Sequence, residues 1–145
     1  MELKPFTALQ KLDNLSYQSK LDQFPNMPIK AIPRTKYSDA SANDLTKSII
    51  DFVRLKGFYA TRIQSQGQKR GNVMTYGTTQ RGTADVHACI NKIHVSLEIK
   101  FGKDRQSDAQ KIVQQEVIQS GGIYLLIRDF EQFYKFYCEF QNLPY

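Results

Sequence analysis

The 145-residue chain has no tryptophan, two cysteines and two histidines, and each scarcity closes off a class of explanation. Cys89 and Cys138 do not fall in a Cys-x-x-Cys spacing, so neither a disulfide framework nor a zinc knuckle is indicated, and two reduced thiols are expected. No stretch approaches the about 20 apolar residues of a membrane span. The start, Met1-Glu2-Leu3-Lys4-Pro5, lacks the apolar run of a signal peptide. A cytoplasmic protein without a membrane partner is therefore expected. Proline is scarce beyond residue 40: four of the five (Pro5, Pro25, Pro28, Pro33) lie in residues 1–40, which sets that arm apart from a domain at 41–145.

Acidic residues are absent from one stretch altogether. Between Phe52 and Ala84 there is no Asp or Glu, while Arg54, Lys56, Arg62, Lys69, Arg70 and Arg81 supply the equivalent of the whole net charge of +6. Positive charge interleaved with Gly, Gln, Ser and Thr suits a backbone that approaches phosphates, with counterions released on binding. A solvated basic surface is the plainer alternative.

What is present is a set of apolar patterns. The chain is 41% hydrophobic with 9 Phe and 8 Tyr, enough for one core. Leu9, Leu12, Leu15 and Leu21 predict one short amphipathic helix in the arm. Ser41 or Asn43 is a plausible N-cap for a helix carrying Leu45, Ile49, Phe52 and Val53, stopped by Gly57. Phe58 to Ile63 reads as a strand, and Gln64 to Gln80 as a polar loop or loose hairpin containing Gly67, Gly71 and Gly77. Ser107-x-x-Gln110 has capping-box form and opens a helix with Ala109, Ile112, Val113 and Val117, ended by Gly121-Gly122. Ile123 to Ile127 is a short apolar strand of the kind buried on both faces. Asp129 begins a last helix with Phe130, Phe133, Tyr134 and Tyr137 inward, a spacing that marks core rather than a base-stacking platform. The order α-β-β-β-α-β-α predicts an α/β fold with a mixed central sheet flanked by helices, its third and fourth strands parallel because a helix separates them.

Thr83 to Lys100 alternates strictly, with Ala84, Val86, Ala88, Ile90, Ile93, Val95, Leu97 and Ile99 on one phase and Asp85, His87, Cys89, His94, Ser96, Glu98 and Lys100 on the other. A turn centred on Asn91 and Lys92, of two residues or four, pairs Ile90 with Ile93, Ala88 with Val95 and Val86 with Leu97. Asp85 then faces Glu98, with Cβ atoms roughly 5 Å apart, and Lys100 lies on the same face. Opposed carboxylates need compensation, from a neighbouring cation such as Lys100 or from a bound metal. Their hard oxygens suit Mg²⁺ or Mn²⁺. A surface Asp–Glu–Lys cluster on a solvent-facing strand is the bland alternative. Cys89 and His94 fall opposite one another near His87, a soft-metal arrangement short of a fourth ligand. A His87 general base is a further functional candidate; the plainer readings make Cys89 a small buried hydrophobe and His87 a polar side chain satisfied by Ser96.

Gly82-Thr83-Ala84-Asp85, then Glu98-Ile99-Lys100, then Gln110 in Ser107-Asp108-Ala109-Gln110, and Gly121-Gly122 before an apolar strand together resemble the PD-(D/E)XK nuclease superfamily, closest to its VRR-NUC (virus-type replication-repair nuclease) branch. The resemblance covers about Ser41 to Phe140. It implies Asp85, Glu98 and the backbone carbonyl of Ile99 as metal ligands, Lys100 as the residue that orients or activates water, and Gln110 as the motif glutamine. The family's glutamate near the start of the first helix has no counterpart. That neighbourhood reads Ala42-Asn43-Asp44, with Asp44 the available substitute ligand or Asn43 the holder of a water, and Ala84 stands at the superfamily's name-giving proline.

These readings lead to the expectation of a Mg²⁺-dependent deoxyribonuclease, Mn²⁺ substituting. The resemblance implies branched, flapped or junction DNA as substrate, in replication, repair or recombination, in a bacterial cytosol or a phage-infected host. It also implies a homodimer, in keeping with two-strand cleavage. Arg62, Lys69, Arg70, Arg81, Lys103 and Arg105 are the candidate DNA-binding cations. The alternative is a non-catalytic nucleic-acid-binding module on a degenerate nuclease fold.

Overall fold

A computed structural model of the chain describes residues 5–64, 68–75 and 79–143. They fall into two compact units, one formed by Met1–Gly57 with Asp129–Tyr145 and the other by Phe58–Arg128. The fold is α/β, with four helices and a four-stranded mixed sheet.

The first unit is helical. Thr7 caps α1 (Ala8–Gln23) in a reciprocal capping box with Gln10. The arm helix is therefore real, but its buried stripe is Ala8, Leu12 and Ser16, whereas Leu9, Leu15 and Leu21 are only half-buried. The i, i+4, i+8 row lies against the neighbouring helices and the other leucines flank it. A short 3₁₀ turn at Ile29–Ala31 follows. Ser41 caps α2 (Ala42–Leu55), whose Leu45, Ile49, Phe52 and Val53 are buried as their spacing requires. Gly57 takes a φ of +83° beyond its end. Asp129 caps α4 (Phe130–Phe140), and Asp39 accepts a second hydrogen bond there from the Phe130 N–H at 2.9 Å. Phe52 meets Phe130, Phe133, Tyr134 and Tyr137 edge-on, at centroid distances of 4.8–5.8 Å. That cluster makes the aromatic stripe of α4 core.

The second unit holds β1 (Tyr59–Arg62), the small hairpin β2 (Gln68–Arg70) and β3 (Val73–Thr75), β4 (Val86–Ile90), β5 (Ile93–Ile99), α3 (Asp108–Gln119) and β6 (Ile123–Ile127). Gly67 and Gly77 of the expected loop or loose hairpin lie outside the described residues, while Gln68–Arg70 and Val73–Thr75 pair antiparallel, which is the hairpin reading. The sheet order is β1-β4-β5-β6, antiparallel except for the parallel pair β5 and β6. Ile90 pairs with Ile93, Ala88 with Val95 and Val86 with Leu97, the register that apolar matching demands. Asn91 and Lys92 close the hairpin with φ of +52° and +68°, the left-handed pair of a two-residue type I′ turn. On β6 only Tyr124 and Ile127 are fully buried, so the strand is less enclosed than its composition promised.

A lysine in the left-handed region carries a steric cost that glycine avoids. Lys92→Gly is therefore expected to raise stability by about 0.5–1 kcal/mol, read as a higher denaturant midpoint at unchanged slope.

Candidate active site

The ladder between β4 and β5 ends at the pair Val86 and Leu97. One step beyond, continuation of the register sets Asp85 opposite Glu98. Asp85 Oδ2 accepts a hydrogen bond from the Ile99 N–H at 2.9 Å, while its own carbonyl accepts from the Ile63 N–H at 2.8 Å, so β1 and β5 hold it from both sides. In an extended strand the N–H and C=O of one residue point to the same side. The Ile99 carbonyl therefore lies on the Asp85 side of β5.

Glu98 and Lys100 are each only 3% exposed. This overturns the solvent-facing alternative. From Ser96 onward the polar phase of β5 is enclosed because α3 lies over that sheet face, with Val113 and Val117 packed around Tyr124 and Leu126, while His94 at its start is exposed. Lys100 Nζ donates to Glu98 Oε1 at 3.1 Å, to Gln110 Oε1 at 3.0 Å and to Asp104 Oδ2 at 3.4 Å. Gln110 Nε2 donates to the same Glu98 Oε1 at 2.5 Å, and Gln110 Oε1 also accepts from the Ser107 N–H at 2.8 Å. One amide thus closes the capping box of α3 and fixes both charged side chains, so the two roles expected of Gln110 coexist.

Glu98 Oε2 is buried and has no hydrogen-bond partner among the described residues. Burial raises the Glu98 pKa above its ordinary 4.5, the nearby Asp85 charge adds to the rise, and Lys100 only partly offsets it. A carboxylate oxygen buried without a donor, beside a second carboxylate and a backbone carbonyl, fits a hard cation. The described residues contain no group of three His, Cys, Asp or Glu side chains able to hold a metal, so any cation here relies on two carboxylates, that carbonyl and water.

The remaining expected residues are dispersed. Asp44 is exposed in the first turn of α2, in the other unit, where it accepts a hydrogen bond from the Ser41 hydroxyl at 2.8 Å. Asn43 lies beside it in the same turn. Arg62 is exposed on β1, Arg81 is exposed just before the Gly82 turn, and Lys103 and Arg105 are exposed in the loop between β5 and α3. Lys69 and Arg70 are on β2, their side chains outside the described part. Cys89 does face His94 across the ladder, but it is exposed rather than a buried hydrophobe. Ser96 pairs with His94 at 2.8 Å, not with His87, because both project from one face of β5. His87 packs edge-on against His94, and burial and that neighbour lower its pKa.

One contributor escaped the sequence, and one motif residue has a role there that the motif did not state. Asp104 sits one turn of loop beyond Lys100 and shares its charge, a contact that loop residues do not advertise. Gly82 has a φ of +89°, and a Cβ there would stand 2.4 Å from the Ala109 carbonyl oxygen and 2.8 Å from the Gln110 nitrogen. A motif glycine thus lets the Asp85 segment touch the first turn of α3.

No family model matches the chain, and no curated protein matches it.

Gly82→Ala is expected to cost at least about 1–3 kcal/mol from the backbone conformation alone and to loosen Gln110, seen as lower protection of the α3 amides in hydrogen exchange. A second expectation concerns pH. Because the folded-state pKa of Glu98 is raised, the folded chain holds its proton more tightly than the unfolded one. Its contribution is fully favourable below the ordinary 4.5 and is lost as pH rises through the folded value. Without divalent cations, the melting temperature of the wild type measured against Glu98→Gln should therefore fall as pH rises above 4.5. A pH-independent difference would contradict that origin.

Proposed function

We propose that the chain is a divalent-cation-dependent nuclease of the PD-(D/E)XK type that hydrolyses DNA phosphodiester bonds. The observation that carries this reading is the buried Glu98 carboxylate, with Oε1 fixed by Lys100 and Gln110 and Oε2 left without a donor beside Asp85. Asp85, Glu98 and the Ile99 carbonyl would hold Mg²⁺ or Mn²⁺. Such a cation supplies polarisation of a phosphodiester and a lower pKa for adjacent water.

The protein's own groups do the rest. Lys100 is an ammonium held at the carboxylate site by three acceptors, of which the exposed Asp104 is the most distant. Exchange of that contact for a phosphate oxygen or a water leaves the other two intact. Lys100 then orients the attacking water and stabilises charge developing on phosphorus oxygens. Arg62, Arg81, Lys103 and Arg105 hold the DNA backbone from exposed positions. Branched or flapped DNA as substrate, and two copies cutting two strands, rest on the family resemblance.

The second reading is a non-catalytic DNA-binding module. It is favoured by Asp85 Oδ2 being engaged by the Ile99 N–H.

The deciding experiment is a panel of linear, nicked, flapped and four-way DNA with and without Mg²⁺. Cleavage should require the cation and fall at least about a hundredfold in Asp85→Ala, Glu98→Ala and Lys100→Ala, compared only under conditions where circular dichroism shows each variant folded, since truncating one partner of a buried pair is destabilising. Full activity in Glu98→Ala would end the nuclease reading. Cation-independent binding that weakens steeply with salt, with no cleavage, would establish the module instead.

A further inference from the structure

A second buried polar atom on the same sheet face lacks a well-formed hydrogen bond. Tyr124 is 5% exposed, and its hydroxyl, like Glu98 Oε2, makes no hydrogen bond of good geometry among the described residues, although Gln106 and Glu98 both stand close enough to act on it. Leaving a buried hydroxyl unsatisfied is destabilising, and phenylalanine would fill the same space without that cost. Two such atoms side by side are harder to attribute to packing than one.

Register brings them together. Tyr124 pairs with Ser96 on the adjacent strand, two residues before Glu98, and side chains two apart on a strand share a face. The Tyr124 ring clusters with Val113 of α3 and with Ala84, the residue preceding Asp85, so the cluster runs from β6 past β5 to the Asp85 segment. The hydroxyl consequently lies by the acid pair. Burial first, then the charges of Glu98 and Asp85, hold its pKa well above the ordinary phenol range, which keeps it a hydrogen-bond donor.

On the reading of the site given above, we propose that Tyr124 is a positioning residue whose hydroxyl donates to Glu98 Oε2 and holds that oxygen in place to ligate the divalent cation. Lys100 and Gln110 already fix Oε1. A carboxylate oxygen has two lone-pair directions, so Oε2 can accept from the phenol in one while the other remains for a cation. Ligating carboxylates are commonly oriented by such outer hydrogen bonds.

The test compares the full-length wild type with Tyr124→Phe after chelation and dialysis, using Mn²⁺ alone as the probe. Tyr137→Phe, a buried tyrosine of α4, serves as control. The expected result has three parts. Cation-free Tyr124→Phe melts at or above the wild-type temperature. Its Mn²⁺ dissociation constant by calorimetry is about 10–100-fold weaker, while the control binds as the wild type does. Mn²⁺ also perturbs the near-ultraviolet tyrosine absorbance of the wild type and of Tyr137→Phe, but not of Tyr124→Phe. Equal affinity in wild type and Tyr124→Phe overturns the proposal and leaves the nuclease reading standing. Failure of the wild type to bind Mn²⁺ overturns both. If Tyr124→Phe does not fold, the wild-type absorbance decides, and its indifference to Mn²⁺ overturns the proposal.

Discussion

The ion pair between Glu98 and Lys100 is the constraint on which the second unit turns, because both charges are buried and neither can be left alone. Removing two ions from water costs several kcal/mol each, and mutual attraction offsets this only when geometry is good and the remaining donors and acceptors are filled. Lys100 meets that condition, with three acceptors for its three protons. Glu98 does not, since one oxygen is without a donor and its pKa is raised by burial despite the lysine. A pair serving stability alone would be better replaced by apolar side chains of the same volume. The asymmetry, a satisfied cation beside an anion with one oxygen outside that network, is the electrostatic basis of the proposed cation site.

That pair fixes other features in turn. Gln110 must bring an amide to both charges, so the first turn of α3 has to start beside the end of β5, and the capping box sets its phase there. The same turn lies against the segment leading into Asp85, with room only for a glycine at position 82. Gly82, Asp85, Glu98, Lys100 and Gln110 are thus five parts of one packing arrangement: backbone contact positions the helix, the helix positions the amide, and the amide positions both charges.

How much of this could be read beforehand depends on whether local pattern or distant packing decided it. The hairpin register was legible because a one-residue slip would exchange the apolar phase of Val86, Ala88 and Ile90 for Asp85, His87 and Cys89. The capping of α2, α3 and α4 was legible for the same local reason. Burial of Ser96, Glu98 and Lys100 was not, because alternation with polar residues also describes a half-solvated strand, and only the cover of α3 distinguishes the two. Tyr124 was absorbed into an apolar run, since nothing in Ile123-Tyr124-Leu125-Leu126-Ile127 shows that its hydroxyl ends beside a carboxylate. In the first unit, Asp39 and Glu131 each accept from a backbone N–H of a helix far away in sequence, at Phe130 and Ala8, links that periodicity does not carry.

The charge distribution bears on the order in which a polyanion would meet this surface. Arg81, Lys103 and Arg105 are exposed, whereas Glu98 is enclosed, so the cations present their field to solvent and the buried carboxylate does not. Field from exposed charges is screened over roughly 8–10 Å at physiological salt, which makes it a means of capture more than of precise placement. Placement falls to the enclosed groups, where low dielectric strengthens every interaction and rigid packing limits motion. On the proposed reading, capture of a phosphate backbone by the exposed cations and its alignment by the enclosed groups are separate tasks, and the sequence separates them too. The basic residues sit in the acid-free stretch and the loop after β5, while Glu98 and Lys100 lie on β5 and just past its end. Loss of a rim cation should then weaken encounter, while disturbance of Gly82 or Gln110 acts on alignment after encounter, and the two effects differ in their dependence on salt.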